Sequence, residues 1–380
     1  MRITIVNGFF LPVPPVAGGA TEKSWVRLAR LFAAQGHRVV SISRRWPGQP
    51  DDETADGIRH LRLPGAGHHP KLWRNLVRDF RWSLRVYRQL PDADIVVCNA
   101  LSLPVWLGTR KPSAGKVVVM CGRVPKGQYR RYRNIARVLA PSTIVRDWVL
   151  SENPRLADAV RVTGYPIDWT SLCSGTRAAA PETVTLGYVG RLHEEKGLSV
   201  LAAAIHRLAS RTELPRWRLL LCGPVDVARG GSGSRWAADL RQRLEATIGT
   251  DRLEILPAAF DDTALADIYR GIDVFCYPSL AVRGETFGVA VAEAMAAGAA
   301  PVVSDLACFR DFVHPEKNGI VFEHSGPKAA ERLADALARL VADAALRRSL
   351  AAAAQAEVAR YDFPAYADRL LEDFAQLTRS

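Results

Sequence analysis

None of the six Cys (98, 121, 173, 222, 276, 308) belongs to a C-x-x-C pair. They are scattered, most of them in apolar runs, so the sequence offers neither a zinc finger nor the framework of a secreted disulfide scaffold. Such thiols are expected to be buried, in a reducing compartment. Long hydrophobic runs are also missing. A membrane-spanning helix needs roughly 18–20 apolar residues, and the most apolar stretch, Val289 to Val303, is interrupted by Glu293. The opening Met-Arg-Ile-Thr-Ile-Val-Asn-Gly has no small-residue cleavage site and reads as a first strand instead of a signal peptide. No internal repeat of solenoid length is present. The P-loop spacing G-x-x-x-x-G-K-[ST] is absent, and no G-x-G-x-x-G follows the strand ending at Val189.

What is present is ordinary globular material: 380 residues, 48% apolar and 24% charged. That length corresponds to about two domains. The net charge is +12 and unevenly placed. Residues 1–169 hold 27 Lys/Arg against 12 Asp/Glu, and the remainder holds 24 against 27. A cationic first half beside a near-neutral second half implies that the first half meets something anionic: nucleic acid, a phospholipid surface or a phosphorylated substrate.

Strands and helices alternate along the chain. Arg2–Val6, Arg38–Ser43, Ile58–Leu63, Asp94–Cys98, Lys116–Met120 and Val138–Ala140 read as strands in the first half. Thr21–Ala34 has helical spacing and ends at Gln35-Gly36. Cys173–Pro181 is rich in small residues and aperiodic, as a linker would be. The alternation then restarts, with strands at Thr183–Val189, Trp217–Cys222, Arg252–Leu256, Asp273–Tyr277 and Ala300–Ser304. Ser199–Leu208 and Gly288–Ala297 are helices between them, Arg229–Ser234 is a surface loop, and the end is helical with a break near Asp362-Phe363-Pro364. Parallel strands need crossover helices, so this pattern predicts doubly wound α/β domains. We place one domain at 1–172, with 362–380 crossing back onto it, and a second at 182–361. The carboxyl ends of their strands are expected to face a shared cleft.

Two segments carry chemistry. In Arg283-Gly-Glu285-Thr-Phe-Gly-Val-Ala-Val-Ala-Glu293, two carboxylates lie eight residues apart across a glycine and the start of an apolar helix. The first N–H groups of such a helix suit a phosphate, while carboxylates accept hydrogen bonds from sugar hydroxyls. Alternatively this is a plain amphipathic helix with two solvated Glu. The second segment, Gly190-Arg191-Leu-His-Glu-Glu-Lys196-Gly197, places two cations five residues apart directly after a strand. It reads either as a phosphate-binding turn, through charge-assisted bonds of roughly 1.5–3 kcal/mol each, or as a polar surface loop.

Together the segments are far more specific. The chain resembles the retaining GT-B glycosyltransferases of family 4 over nearly its whole length, most strongly from about Val184 to Asp305. The matching features are Gly18-Gly19 after the first strand, Gly190-Arg191 with Lys196-Gly197, and Glu285-(x7)-Glu293 followed by Ala-Met-Ala-Ala-Gly. Leu-Pro-Val-Pro-Pro-Val-Ala-Gly-Gly-Ala is also similar to a subgroup that includes spore-coat glycosyltransferases. The resemblance implies a GT-B fold and a metal-independent, retaining transfer from a nucleotide sugar, UDP- or GDP-linked, in cell-surface polysaccharide or glycoconjugate assembly. By that resemblance Arg191 and Lys196 hold the donor diphosphate and Glu285 contacts the donor sugar. Thr286, Phe287, Gly288 and Val289 supply backbone bonds to sugar and phosphate, and Glu293 takes the ribose hydroxyls. Phe260 lines the nucleobase, and Gly18 and Gly19 let the backbone approach the diphosphate. The chain departs from the family at Met120-Cys121-Gly122-Arg123, where many relatives carry His, and at Gly164-Tyr-Pro-Ile-Asp168. Asp92-Ala-Asp94 has the D-x-D form of a metal motif but reads as the entry to a strand, and His68-His69 reads as a polar loop.

On the acceptor side, Lys71–Arg88 carries six cations and one acid, with Leu72, Leu76, Phe80 and Leu84 on one helical strip and Trp73 and Val77 nearby. Such a helix lies on an anionic membrane surface or packs into a core by its apolar strip. A second basic cluster spans Arg123–Arg137. An anionic or lipid-linked acceptor at the cytoplasmic face of a membrane accounts for both, without nucleic acid. The alternatives are a soluble glycosyltransferase acting on a small metabolite, or a non-catalytic relative used for binding.

Overall fold

Fourteen strands are present among the residues that our computed structural model describes, which are 1–16, 19–175, 183–259 and 261–379. The chain divides into two units, Met1–Pro166 with Phe363–Ser380, and Ile167–Asp362.

The first unit holds β1 (Arg2–Val6), β2 (Arg38–Arg44), β3 (Asp52–Ala55), β4 (Ile58–Leu63), β5 (Ile95–Cys98), β6 (Lys116–Met120), β7 (Arg137–Ala140) and β8 (Val160–Val162). They form one sheet in the order β3-β4-β2-β1-β5-β6-β7-β8. All pairings are parallel except β3 with β4. The central strands are buried on both faces, which is why β5 reads Ile-Val-Val-Cys without alternation. On one face Val6, Val96 and Cys98 pack with Trp82 and Val86 of the helix Leu72–Gln89. On the other, Ile3, Ile5 and Val97 pack with Trp25, Leu28 and Phe32 of the helix Ala20–Ala34, and with Phe363, Tyr366, Leu370 and Phe374 of the last helix, Phe363–Arg379. Arg137 ties that last helix to β7 through two bonds to Asp373, of 2.8 and 2.6 Å.

The second unit holds β9 (Val184–Val189), β10 (Trp217–Cys222), β11 (Leu253–Leu256), β12 (Val274–Tyr277), β13 (Ala300–Ser304) and β14 (Ile320–Phe322). The sheet order is β11-β10-β9-β12-β13-β14, every pairing parallel. The chain winds outward from β9 through β10 to β11, then returns to the other side of β9 as β12. That reversal is a topological switch point, where open α/β sheets leave a crevice outside their carboxyl ends.

Two boundaries differ from the sequence reading. Residues 167–172, assigned from sequence to the first domain, belong to the second unit. Ile167 N–H donates to the Tyr361 carbonyl at 2.9 Å, and the Trp169 indole N–H to the Gln355 carbonyl at 2.9 Å. Asp362, expected to start the returning segment, also stays with the second unit. Of the linker, residues 176–181 lie outside the described residues. The Gly-Ser segment after Arg229 is not a free surface loop: Ser232 N–H donates to Leu192 O at 3.0 Å and Gly233 N–H to Val225 O at 2.8 Å. No helix among the described residues is long and apolar enough to cross a membrane.

Candidate active site

The two segments singled out by sequence leave adjacent strands at the switch point. Gly190 follows β9, and the loop 278–288 follows β12, the neighbour of β9. They are joined by a close approach at Gly197, which caps the helix Leu198–Ala209 with φ 71°. A Cβ there would stand 1.8 Å from the Pro278 carbonyl oxygen, so only glycine fits. The Leu280 N–H donates to the Glu195 carbonyl at 2.8 Å, a second tie between the same segments.

The centre of the arrangement is a buried ion pair. Lys196 Nζ lies 2.6 Å from Glu285 Oε2, and the two residues are 5% and 9% exposed. The same oxygen accepts the Tyr277 hydroxyl at 3.2 Å and the Ser279 hydroxyl at 3.3 Å. Ser279 is held in turn, its carbonyl accepting the Ser304 hydroxyl from the end of β13 at 2.7 Å. Tyr277 stacks on Tyr188 of β9 (5.7 Å between ring centroids), and Lys196 Nζ sits 5.5 Å from the Tyr277 ring centroid. Burial pushes the Tyr277 and Tyr188 hydroxyls well above their ordinary pKa, with the Glu285 charge adding to the effect. Both therefore stay neutral. Glu285 is thus positioned by three side chains, those of Lys196, Tyr277 and Ser279.

Arg191 is more open. Its guanidinium donates to Glu195 Oε1 at 2.6 Å and to the Gly230 carbonyl at 2.9 Å, and the Tyr188 hydroxyl donates to the Arg191 carbonyl at 2.8 Å. On the other side of the site the helix Val289–Ala296 starts at Gly288 in a left-handed conformation, φ 95°. A Cβ at Gly288 would lie 2.5 Å from the Phe309 ring. The first turn bond runs from Val291 N–H to Gly288 O, so the N–H groups of Val289 and Ala290 precede the helical ladder and carry the positive end of its dipole. Phe287 is buried against Phe312 and Tyr361, which fixes the loop that carries Thr286. Glu293 stands in the second turn of the helix, as its spacing predicts, and accepts the Tyr269 hydroxyl at 2.9 Å.

Within the second unit, then, Gly190, Arg191, Lys196, Glu285, Thr286, Phe287, Gly288, Val289 and Glu293 all belong to two adjoining strand–loop–helix connections. Phe260 lies outside the described residues. Sequence reasoning missed Tyr277, Ser279 and Glu195. The first two lie in an apolar strand end, Phe-Cys-Tyr-Pro-Ser, whose only signal is a hydroxyl pair six to eight residues before Glu285.

In the first unit, Gly19 caps the helix Ala20–Ala34 after β1, and Gly18 lies outside the described residues. The helix Leu72–Gln89 is present, but the strip it buries is not the apolar strip read from its spacing. Its buried face is Asp79, Trp82, Ser83 and Val86, whereas Leu72, Trp73, Leu76, Val77, Phe80 and Leu84 are exposed. Trp82 donates its indole N–H to the Asn7 carbonyl at 3.1 Å, and Asp79 accepts the N–H of Ser102 at 2.7 Å and of Leu101 at 3.2 Å. The inward face thus rests on the connections after β1 and β5. Arg123, Lys126, Arg130, Arg131 and Arg133 are exposed in the same unit. Asp94 is engaged at the opposite, amino edge of the sheet, where Arg2 holds it through its backbone N–H at 2.7 Å and through its guanidinium. His69 Nδ1 accepts the Lys71 N–H, and His68 contacts Asn75.

Residues 177–357 match the family described as glycosyl transferases group 1. The whole chain is 29% identical to a phosphatidyl-myo-inositol mannosyltransferase of Mycobacterium tuberculosis, across 98% of that protein. Half of it is 32% identical to a D-inositol 3-phosphate glycosyltransferase of Xylanimonas cellulosilytica, across 42% of that protein. Among solved structures, sucrose-phosphate synthase from Thermosynechococcus elongatus matches with a TM-score of 0.78 at 23% identity, covering 100% of this chain and 99% of that one. Anabaena HepE in complex with UDP matches at 0.72 and 15% identity, covering 99% and 100%. The two parallel-sheet units have the GT-B fold of these structures, and the family match with the named relatives identifies a glycosyltransferase, an enzyme that acts on nucleotide sugars. The group 1 glycosyltransferase match lies in residues 177–357, within the second unit, and with the named relatives it makes the protein a glycosyltransferase of the hexosyltransferase type.

Proposed function

We propose that the enzyme transfers a hexosyl group, with retention and without a metal, from a nucleoside-diphosphate sugar to a hydroxyl of an anionic lipid head group at a membrane surface. The donor half of this reading is carried by the Lys196–Glu285 pair at the switch point. Lys196 and Arg191 meet the diphosphate and offset the charge that accumulates on it as the sugar–phosphate bond breaks. Glu285, fixed by Tyr277 and Ser279, accepts hydrogen bonds from the sugar hydroxyls. The N–H groups at the start of the helix Val289–Ala296 hold phosphate and sugar oxygens, and Glu293 takes the ribose. Phe260, Gly18 and Gly19 complete the donor contacts by resemblance. Preorganised donors of this type are worth about 10²–10³ in rate each.

The acceptor half is carried by the helix Leu72–Gln89. Its exposed apolar strip lies beside a row of Arg residues, the arrangement of a helix that lies in the interface plane of an anionic membrane. Relatives named for phosphatidylinositol and inositol phosphate favour an inositol-bearing acceptor. That location is the cytoplasmic face of a membrane, and no nucleic acid takes part.

Calorimetric titration with UDP, GDP and ADP, with and without EDTA, tests the donor half. Tight binding of one nucleotide, unchanged by EDTA, is expected, and no binding to any of them overturns it. The anomeric configuration of the product, read by NMR, tests retention. Flotation with vesicles containing phosphatidylinositol, against vesicles of phosphatidylcholine alone, tests the acceptor half. Selective recovery with the anionic vesicles is expected, and recovery with neither kind of vesicle overturns it in favour of a soluble small-molecule acceptor.

A further inference from the structure

The charges in the donor site are already balanced by resident carboxylates, and the two balances differ in how easily they can be exchanged. Lys196 is matched by Glu285 in a pair that is almost fully buried and braced by Tyr277 and Ser279. Removing Lys196 from that pair would strand a desolvated carboxylate. Arg191 is matched by Glu195, four residues along the same turn, and those side chains are 40% and 37% exposed. Its remaining bond goes to the carbonyl of Gly230, in the loop that also meets the turn through Ser232. An incoming diphosphate brings at least two negative charges and needs a cation released from its partner. The exposed Arg191–Glu195 pair is the one that can yield.

We propose that Glu195 is a specificity-determining residue for the donor: it competes with the diphosphate for Arg191, and thereby sets how tightly donor and product nucleotide are held. Once the guanidinium turns to phosphate, Glu195 faces that phosphate as a like charge. His193 does not take the place of Arg191: its Nδ1 lies 4.0 Å from Glu195 Oε1 and already accepts the Glu195 N–H at 3.1 Å. The competition grows with phosphate charge and vanishes for a nucleoside. Burial works against the ionisation of Glu195, but the hydrogen bond and charge of Arg191, with Lys196 and His193, outweigh it and hold the carboxyl below its ordinary pKa. Glu195 is therefore ionised, and competing, at neutral pH. Its backbone is fixed independently, by the Leu280 N–H on its carbonyl and by its own N–H on His193 Nδ1, so the turn keeps its shape when the side chain changes.

This inference rests on Arg191 being a diphosphate ligand, and the test separates the two. Binding of nucleoside diphosphate, monophosphate and nucleoside is measured by calorimetry for the wild type, Glu195→Gln, Glu195→Ala and Arg191→Ala. With both Glu195 variants the diphosphate is expected to bind about threefold to tenfold more tightly, the monophosphate less so and the nucleoside unchanged. In turnover KM and kcat fall together, because product leaves more slowly. Tightening in neither variant, with Arg191→Ala weakening the diphosphate, overturns the competition and leaves the Arg191 reading standing. Diphosphate affinity unchanged in Arg191→Ala overturns the Arg191 reading itself.

Discussion

At the scale of single residues, the buried Lys196–Glu285 pair links the proposed donor binding to stability. Breaking a buried pair by removing one partner costs about 3–5 kcal/mol, because the other charge is left desolvated, whereas an apolar replacement of both is often neutral. Lys196→Ala is therefore expected to lower the melting temperature and abolish activity. The double variant Lys196→Met with Glu285→Leu is expected to recover the melting temperature and not the activity. Thermal denaturation beside a transfer assay checks both halves, and an inactive Lys196→Ala that melts like the wild type would contradict the burial seen here. The spacing of Arg191, Lys196, Glu285 and Glu293 was legible in the sequence because each sits at a fixed step from a glycine turn or a helix start. Their pairing was not legible. It depends on β9 and β12 lying side by side, and these strands are separated by the whole of β10 and β11 in sequence.

Among the elements, the helix Leu72–Gln89 shows what periodicity can and cannot tell. Leu72, Leu76, Phe80 and Leu84 do form one strip, as their spacing predicts, but the protein buries the neighbouring strip of Asp79, Trp82, Ser83 and Val86. The deciding contacts are polar: an indole N–H to Asn7, and a carboxylate capping two N–H groups after β5. Substitutions on the two strips should separate cleanly. Leu72→Glu with Leu76→Glu is expected to leave stability within about 0.5 kcal/mol and to abolish vesicle binding. Trp82→Ala is expected to cost about 3–5 kcal/mol. Chemical denaturation and vesicle flotation read the two effects, and a large loss of stability from the Leu pair would show that this strip is packed after all. The strands missed from sequence, β3, β8 and β14, are three or four residues long and lie at or beside sheet edges, β3 with the polar sequence Asp-Glu-Thr-Ala. Edge strands need little apolar content, so periodicity does not flag them.

For the whole molecule, the decisive feature is that the first unit is built from two stretches of chain. Phe374 packs on Phe32, Gln35 bonds Asp368 at 2.7 Å, and Arg137 clamps Asp373. Truncation after Asp362 exposes the face of β1, β5 and β6 that the last helix covers. Such a chain is expected to lose the unfolding transition of the first unit and retain that of the second. Arg137→Ala is a milder probe, with an expected loss of about 3 kcal/mol confined to the first unit. Calorimetric scans that resolve two transitions check both, and an unaffected first transition after truncation would contradict the shared core. The sequence pattern indicated two doubly wound halves because each strand–helix alternation is local. The exact crossing points, at Pro166–Ile167 and Asp362–Phe363, depend on contacts such as Ile167 with Tyr361, which lie almost two hundred residues apart.

The same interrupted first unit sets the order in which the protein can be finished on the ribosome. Domains ordinarily complete from the amino terminus as the chain emerges. Here the amino-terminal unit must wait with one flank of its sheet uncovered while the whole of residues 167–362 is made. The later-synthesised unit is continuous, so it can finish first. The apolar side chains of β1 and β5 are thus the surface that a nascent-chain chaperone would meet, until Phe363–Arg379 arrives and covers them.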